Sequence, residues 1–204
     1  MEQLIREKVE QSMTYAAYKE LMANSVAEGK TTGPNQSESM ANYTKMNEKR
    51  MKRLDKTFQV SEELLQAVAD LDKDYIWLVI TEAWCGDAAQ TVPIIQKVAE
   101  GSDKIELRVV LGDEHPELME KFLTDGAKSI PKLIIIDKES MQVEQDWGPR
   151  PAPAQEMLME FKANPDLTYS EFSLNLQKWY NQDKGLTTQA ELKETLKSPA
   201  RLYI

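Results

Sequence analysis

Apolar positions in the first quarter of the chain step by three and four residues. Ile5, Val9, Met13, Ala16, Ala17 and Leu21 mark one face of a helix over residues 3–28, closed by Gly29. The polar stretch 30–39, with Gly33-Pro34-Asn35 at its centre, reads as a loop. Met40, Tyr43, Met46, Met51 and Leu54 then predict a second helix over 40–57. Its opposite face carries Lys45, Glu48, Lys49, Lys52 and Arg53 and is expected to be solvated. Ser61 suits the N-cap of a third helix reaching Leu71, with Leu64, Leu65, Val68 and Leu71 turned inward.

From Tyr75 the pattern changes. Residues 75–81 are a nearly continuous β-branched and aromatic run, as expected of a strand buried on both faces. The chain then alternates: a helix over 86–100, a strand over 105–111, a helix over 114–125, and strands over 132–137 and 141–147. That order predicts an α/β architecture with a parallel pair joined by a right-handed crossover and a final antiparallel hairpin. Gly148-Pro149-Arg150-Pro151-Ala152-Pro153 predicts a rigid, extended elbow, because proline fixes its own φ and restrains the residue before it. Helices follow over 154–162, 168–182 and 187–197. The second of these bears Phe172, Leu176, Trp179 and Tyr180.

Charge and composition narrow the partners. A net charge of −9 repels nucleic acid and anionic membranes, so neither is expected as a partner. No run approaches the ~18 apolar residues of a membrane span, and the mixed charges of residues 1–8 do not read as a secretory signal. A single cysteine cannot build a disulfide framework, which fits a reducing cytoplasm. One histidine beside one cysteine leaves zinc without its usual ligands, and glycine-rich phosphate loops are absent, so no metal or cofactor is expected. His115 itself reads as a surface or capping residue.

The chemistry concentrates where the first strand ends, in Thr81-Glu82-Ala83-Trp84-Cys85-Gly86-Asp87-Ala88-Ala89-Gln90. A cysteine at a helix N-terminus sits among unpaired backbone N–H groups that stabilise the thiolate. Asp87, with Glu82, adds negative charge that works the other way. The balance predicts a moderately activated thiol.

Trp84-Cys85-Gly86-Asp87-Ala88, with Pro93 past the cysteine, resembles the Trp-Cys-Gly-Pro-Cys site of the thioredoxin family, and Ser129-Ile130-Pro131-Lys132-Leu133-Ile134-Ile135-Ile136 is similar to that family's cis-proline segment. The resemblance covers about 58–162. It implies a thioredoxin-like fold, a mixed central sheet flanked by helices, with helical extensions at 1–57 and 163–204. It further implies Cys85 as the catalytic residue, and Trp84, Gly86, Asp87, Ile130 and Pro131 as the substrate-binding set. The Ile130–Pro131 bond would be cis, and the Ile130 backbone would pair with a substrate segment as an added strand.

The departures are specific. Ala88 stands where the family has its resolving cysteine, Val79 where it has a buried acid, and Asp87 where it has a proline. No intramolecular disulfide can form. Two functions are therefore expected: a monothiol oxidoreductase that exchanges a protein or low-molecular-weight thiol or disulfide substrate through Cys85, with an external thiol resolving the intermediate; or a redox-inactive protein- or peptide-binding module. In either case the helical extensions offer a surface for a homodimer.

Overall fold

The computed structural model describes residues 1–199. Its centre is a four-stranded sheet in the order β2-β1-β3-β4, built from β1 (Tyr75–Thr81), β2 (Ile105–Leu111), β3 (Lys132–Asp137) and β4 (Val143–Trp147). β1 pairs parallel with β2 and antiparallel with β3, and β3 pairs antiparallel with β4. Every residue of β1 and β3 is buried, because helices cover both faces. Tyr75, Trp77 and Val79 face one layer, and the alternating Ile76, Leu78 and Ile80 face the other. This is the mixed sheet flanked by helices that the resemblance implies.

The helical pattern of residues 3–28 resolves into two helices, α1 (Glu2–Gln11) and α2 (Tyr15–Ala27). The cause is the edge of the sheet. Met13 exchanges two backbone hydrogen bonds with Val109 of β2, at 2.9 and 2.8 Å. Arg108 holds the Ser12 carbonyl at 2.6 Å. Thr14 then caps α2 by accepting from the Ala17 N–H at 3.2 Å. Three- and four-residue steps satisfy one long helix and two short ones equally, so periodicity alone does not reveal the break.

α3 (Glu38–Thr57) and α4 (Glu62–Ala69) start at the caps Ser37 and Ser61. α5 (Ala88–Ala99) makes the crossover from β1 to β2 and contains Pro93. The expected helix over 114–125 is much shorter: a 3-10 turn at Gly112–Glu114 leads into α6 (Pro116–Met119). Pro116 keeps His115 out of the helical region, at φ −129° and ψ 57°. Further on, Asp125 and Gly126 both take positive φ and close a tight turn between Thr124 and Ala127. His115 is buried, which corrects the surface half of its reading; it does hold the N-cap position of α6, without a side-chain capping hydrogen bond.

After β4 the chain turns at Gly148, whose φ is +114° and whose missing Cβ would overlap the Pro131 carbonyl oxygen. α7 (Ala152–Ala163) follows, then α8 (Tyr169–Asp183) behind a Thr168/Glu171 capping box, and α9 (Leu186–Lys197), which packs against α4 and β4. Ala154, Phe172, Leu176 and Tyr180 form a satellite cluster between α7 and α8, with Phe161 stacked on Phe172 at 4.8 Å between centroids. Among the described residues no helix is long and apolar enough to cross a membrane.

Candidate functional site

β1 delivers its last residue to the foot of α5, and the intervening bend places Cys85 under a cavity of about 320 Å³. Trp84, Cys85, Gly86, Asp87 and Ile130 all line it. Pro131 does not; it is buried, with a cis bond to Ile130. The roof and walls come from elements far away in sequence: Met40 and Tyr43 of α3, Arg150 of the proline elbow, and Tyr169, Phe172 and Gln177 of α8. A larger, more open recess of about 690 Å³ shares Arg150 but lies against Trp147 and Glu191, away from the sulfur.

Cys85 is only 7% exposed. Its thiol donates to the Ile130 carbonyl at 3.4 Å, and its sulfur accepts from the Ala88 N–H at 3.5 Å. Burial pushes the thiol up to about 12, and the Asp87 carboxylate adds to the rise. The N–H groups of Ala88 and Asp87, and the Arg150 cation, pull the other way and lose. The expected moderate activation is thus corrected. The helix N-terminus is present as anticipated, but the cover over the sulfur outweighs it.

Asp87 is spent on a local lock. Its carboxylate accepts from Arg150 Nε and Nη2 at 3.0 and 2.7 Å, and from the Tyr180 hydroxyl at 2.7 Å. Burial works against the Arg150 cation, yet Asp87 keeps its pKa above the ordinary value, while burial and Asp87 together raise Tyr180 well above its own. The lock ties the start of α5, the elbow and α8 together beside the cavity that Cys85 lines. Glu82 turns elsewhere. It accepts from the Thr32 hydroxyl and from the Asp113 N–H at 2.9 Å, and Thr32 also takes the Ala83 N–H at 2.9 Å. The polar loop after α2 is therefore folded against the segment that follows β1, with Thr31 and Thr32 buried.

Burial raises the Glu82 carboxyl above the usual carboxylate range despite those two donors. The folded state holds this proton more tightly than the unfolded chain does, so the group's contribution to stability is present in acid and lost as pH rises through the shifted value. Glu82→Gln removes that loss. Denaturant melts from about pH 4 to about pH 7 should show the variant gaining on the natural protein as pH rises; parallel curves would overturn the assignment.

The sequence reading gave no role in the site to Arg50, Arg150, Phe172, Gln177 or Tyr180. Phe172 and Tyr180 carry an apolar helical face, but nothing local states what that face covers. Arg150 does carry a signal: a cation between Pro149 and Pro151 sits on a backbone with little freedom to move. Among the described residues no group of three His, Cys, Asp or Glu side chains is placed to hold a metal ion.

The profile of the thioredoxin family matches residues 33–163, more than half of the chain. The chain belongs to the thioredoxin family. This thioredoxin-family protein is also similar in structure to a protein of unknown function from Pseudomonas aeruginosa, with a TM-score of 0.60 and 13% identity over 93% of this chain and 94% of that one. An HIV epitope scaffold gives a TM-score of 0.52 and 16% identity, over 92% of this chain and 100% of that one. At such identities the likeness is one of fold. No curated protein matches this thioredoxin-family sequence.

Proposed function

We propose that this is a thioredoxin-fold binding protein that holds a small ligand in the cavity over Cys85 and does not exchange disulfides at neutral pH. The observation that carries this reading is the Asp87–Arg150–Tyr180 lock, which fastens α8 beside the cavity lined by Cys85, whose proton is already engaged by Ile130. Thiol exchange needs a thiolate, and a thiol held near 12 supplies very little of it. A cavity walled in part by α8 also suits a small molecule better than the added strand of a peptide, because Tyr169, Phe172 and Gln177 share it with Ile130 and Cys85.

Monothiol exchange remains the second reading, favoured by one observation: Cys85 lines the cavity and its Sγ accepts the Ala88 N–H at the start of α5. In that reaction the Cys85 thiolate attacks one sulfur of a mixed disulfide, and the substrate's S–S bond breaks to release a thiolate. An external thiolate then attacks the transferred group's sulfur in the Cys85 mixed disulfide, forms a new disulfide with that group and releases the Cys85 thiolate.

Alkylation with iodoacetamide across pH separates the two. The binding reading expects slower reaction at neutral pH than a free cysteine peptide, with no midpoint below about 9. A midpoint well under the free thiol's ~8.5, with fast reaction, would sink it in favour of exchange.

A further inference from the structure

We propose that the cavity over Cys85 binds a small organic monocarboxylate, its acid group seated between Arg50 and Gln177 above Gly86 and its apolar or aromatic body against Tyr43, Trp84 and Phe172. The inference rests on the reading of this cavity as a binding site and names the class of its ligand.

Charge gives the first argument. In a protein of net charge −9, the cavity is lined by three cations, Arg50, Lys128 and Arg150, and by one carboxylate, Asp87. Arg150 neutralises Asp87, and Lys128 pairs with Glu120 at 3.1 Å. Arg50 has no carboxylate partner among the described residues. Its side chain makes one hydrogen bond, from Nη1 to Asn47 Oδ1 at 2.8 Å. Burial disfavours its charged form, and Arg53 adds to that, so an anion arriving in the cavity would relieve a real cost.

Geometry gives the second. Asn47 is fully buried, and its Nδ2 donates to the Ala83 carbonyl at 2.9 Å; its oxygen must therefore face Arg50 and hold the guanidinium in place. Behind the cavity Arg53, on the same helix as Arg50 and able only to donate, turns the oxygen of Gln90 toward itself. Gln90 Nε2 then donates to Gln177 Oε1 at 2.8 Å, leaving Gln177 Nε2 to face Gly86. The two relays end at one point. A Cβ on Gly86 would lie 3.2 Å from Gln177 Nε2, a tight contact, and 3.9 Å from Arg50 Nη1, so glycine lets the two donors come close to one point in the wall of the cavity. A planar carboxylate accepts from such a pair, and the aromatic wall beyond it suits an apolar body.

The test is a titration of the full chain, followed by backbone amide NMR, with 3-phenylpropionate, its uncharged amide 3-phenylpropionamide, and inorganic phosphate. The acid is expected to shift the Gly86 and Gln177 signals saturably in the millimolar range, with the amide at least about tenfold weaker. Arg50→Gln should weaken the acid by about tenfold or more, and Arg50→Lys should restore part of the loss. Lys49→Gln, which removes an exposed charge on the same helix outside the cavity, should change nothing. Acid and amide binding alike, or Arg50→Gln without effect, would overturn the carboxylate assignment while shifts at Gly86 left the binding site standing. Phosphate outcompeting the acid would overturn the organic body. No saturable shift from any probe, together with fast alkylation of Cys85, would overturn the binding reading itself; no shift with slow alkylation would overturn only the ligand class.

Discussion

Replacing Asp87 by alanine is expected to cost about 3–5 kcal/mol of stability and, in the fraction that stays folded, to quicken alkylation of Cys85. The carboxylate is the counter-ion of a guanidinium whose side chain is only 12% exposed, and it accepts the buried Tyr180 hydroxyl as well. Its removal leaves a largely buried charge and a buried donor without their acceptor, which is among the few ways a single substitution costs this much. The effect on the thiol follows from sign. Asp87 holds the Cys85 pKa up and Arg150 pulls it down, so deleting the carboxylate leaves the cation acting alone. Urea melts and iodoacetamide kinetics under folded conditions check both parts. A destabilised variant with an unchanged alkylation rate would show that Asp87 fastens the site without governing the sulfur.

Phe172→Ala is expected to cost about 3 kcal/mol and to raise the reactivity of Cys85 by a different route. Phe172 is buried in the satellite cluster, stacks on Phe161, and stands in the wall of the cavity. Burial is the largest cause of the raised thiol, so thinning the cover should return the sulfur toward its ordinary value. Fluorescence offers an independent readout, since Trp84 shares the cavity and its emission should move to the red as water enters. If Cys85 reacts as slowly as before, the dryness at the sulfur comes from the α3 side of the cavity and not from α8.

How much of this was legible in the sequence depends on how local each cause is. β1 and β3 could be bounded from the apolar run at Tyr75 and the isoleucines after Leu133, because burial on two faces leaves an unbroken signature, whereas β2 shows it only in Val109, Val110 and Leu111. The meeting of Trp84, Cys85, Gly86, Asp87 and Ile130 was legible through motif and order. The state of the thiol was not. Its helix terminus is written within a few residues of Cys85, whereas its cover comes from Tyr43 and Phe172, and its nearest charge is cancelled by an arginine in the proline elbow. The same holds for Thr32, a polar loop residue whose hydroxyl is claimed by the distant Glu82 and Ala83. Short-range pattern reports which face of an element is apolar; it does not report what comes to lie against it.

The small bridge between Met13 and Val109 has a consequence for how copies of this chain meet. β2 is the outermost strand of its sheet, and an outermost strand with free N–H and C=O groups invites a strand from another molecule. Here that invitation is answered from within: Met13 takes both backbone groups of Val109, and Arg108 is anchored to Ser12. A self-plugged margin of this kind guards against runaway sheet extension and fibre growth on that side. Strand-to-strand pairing of two copies is thereby disfavoured at the β2 margin.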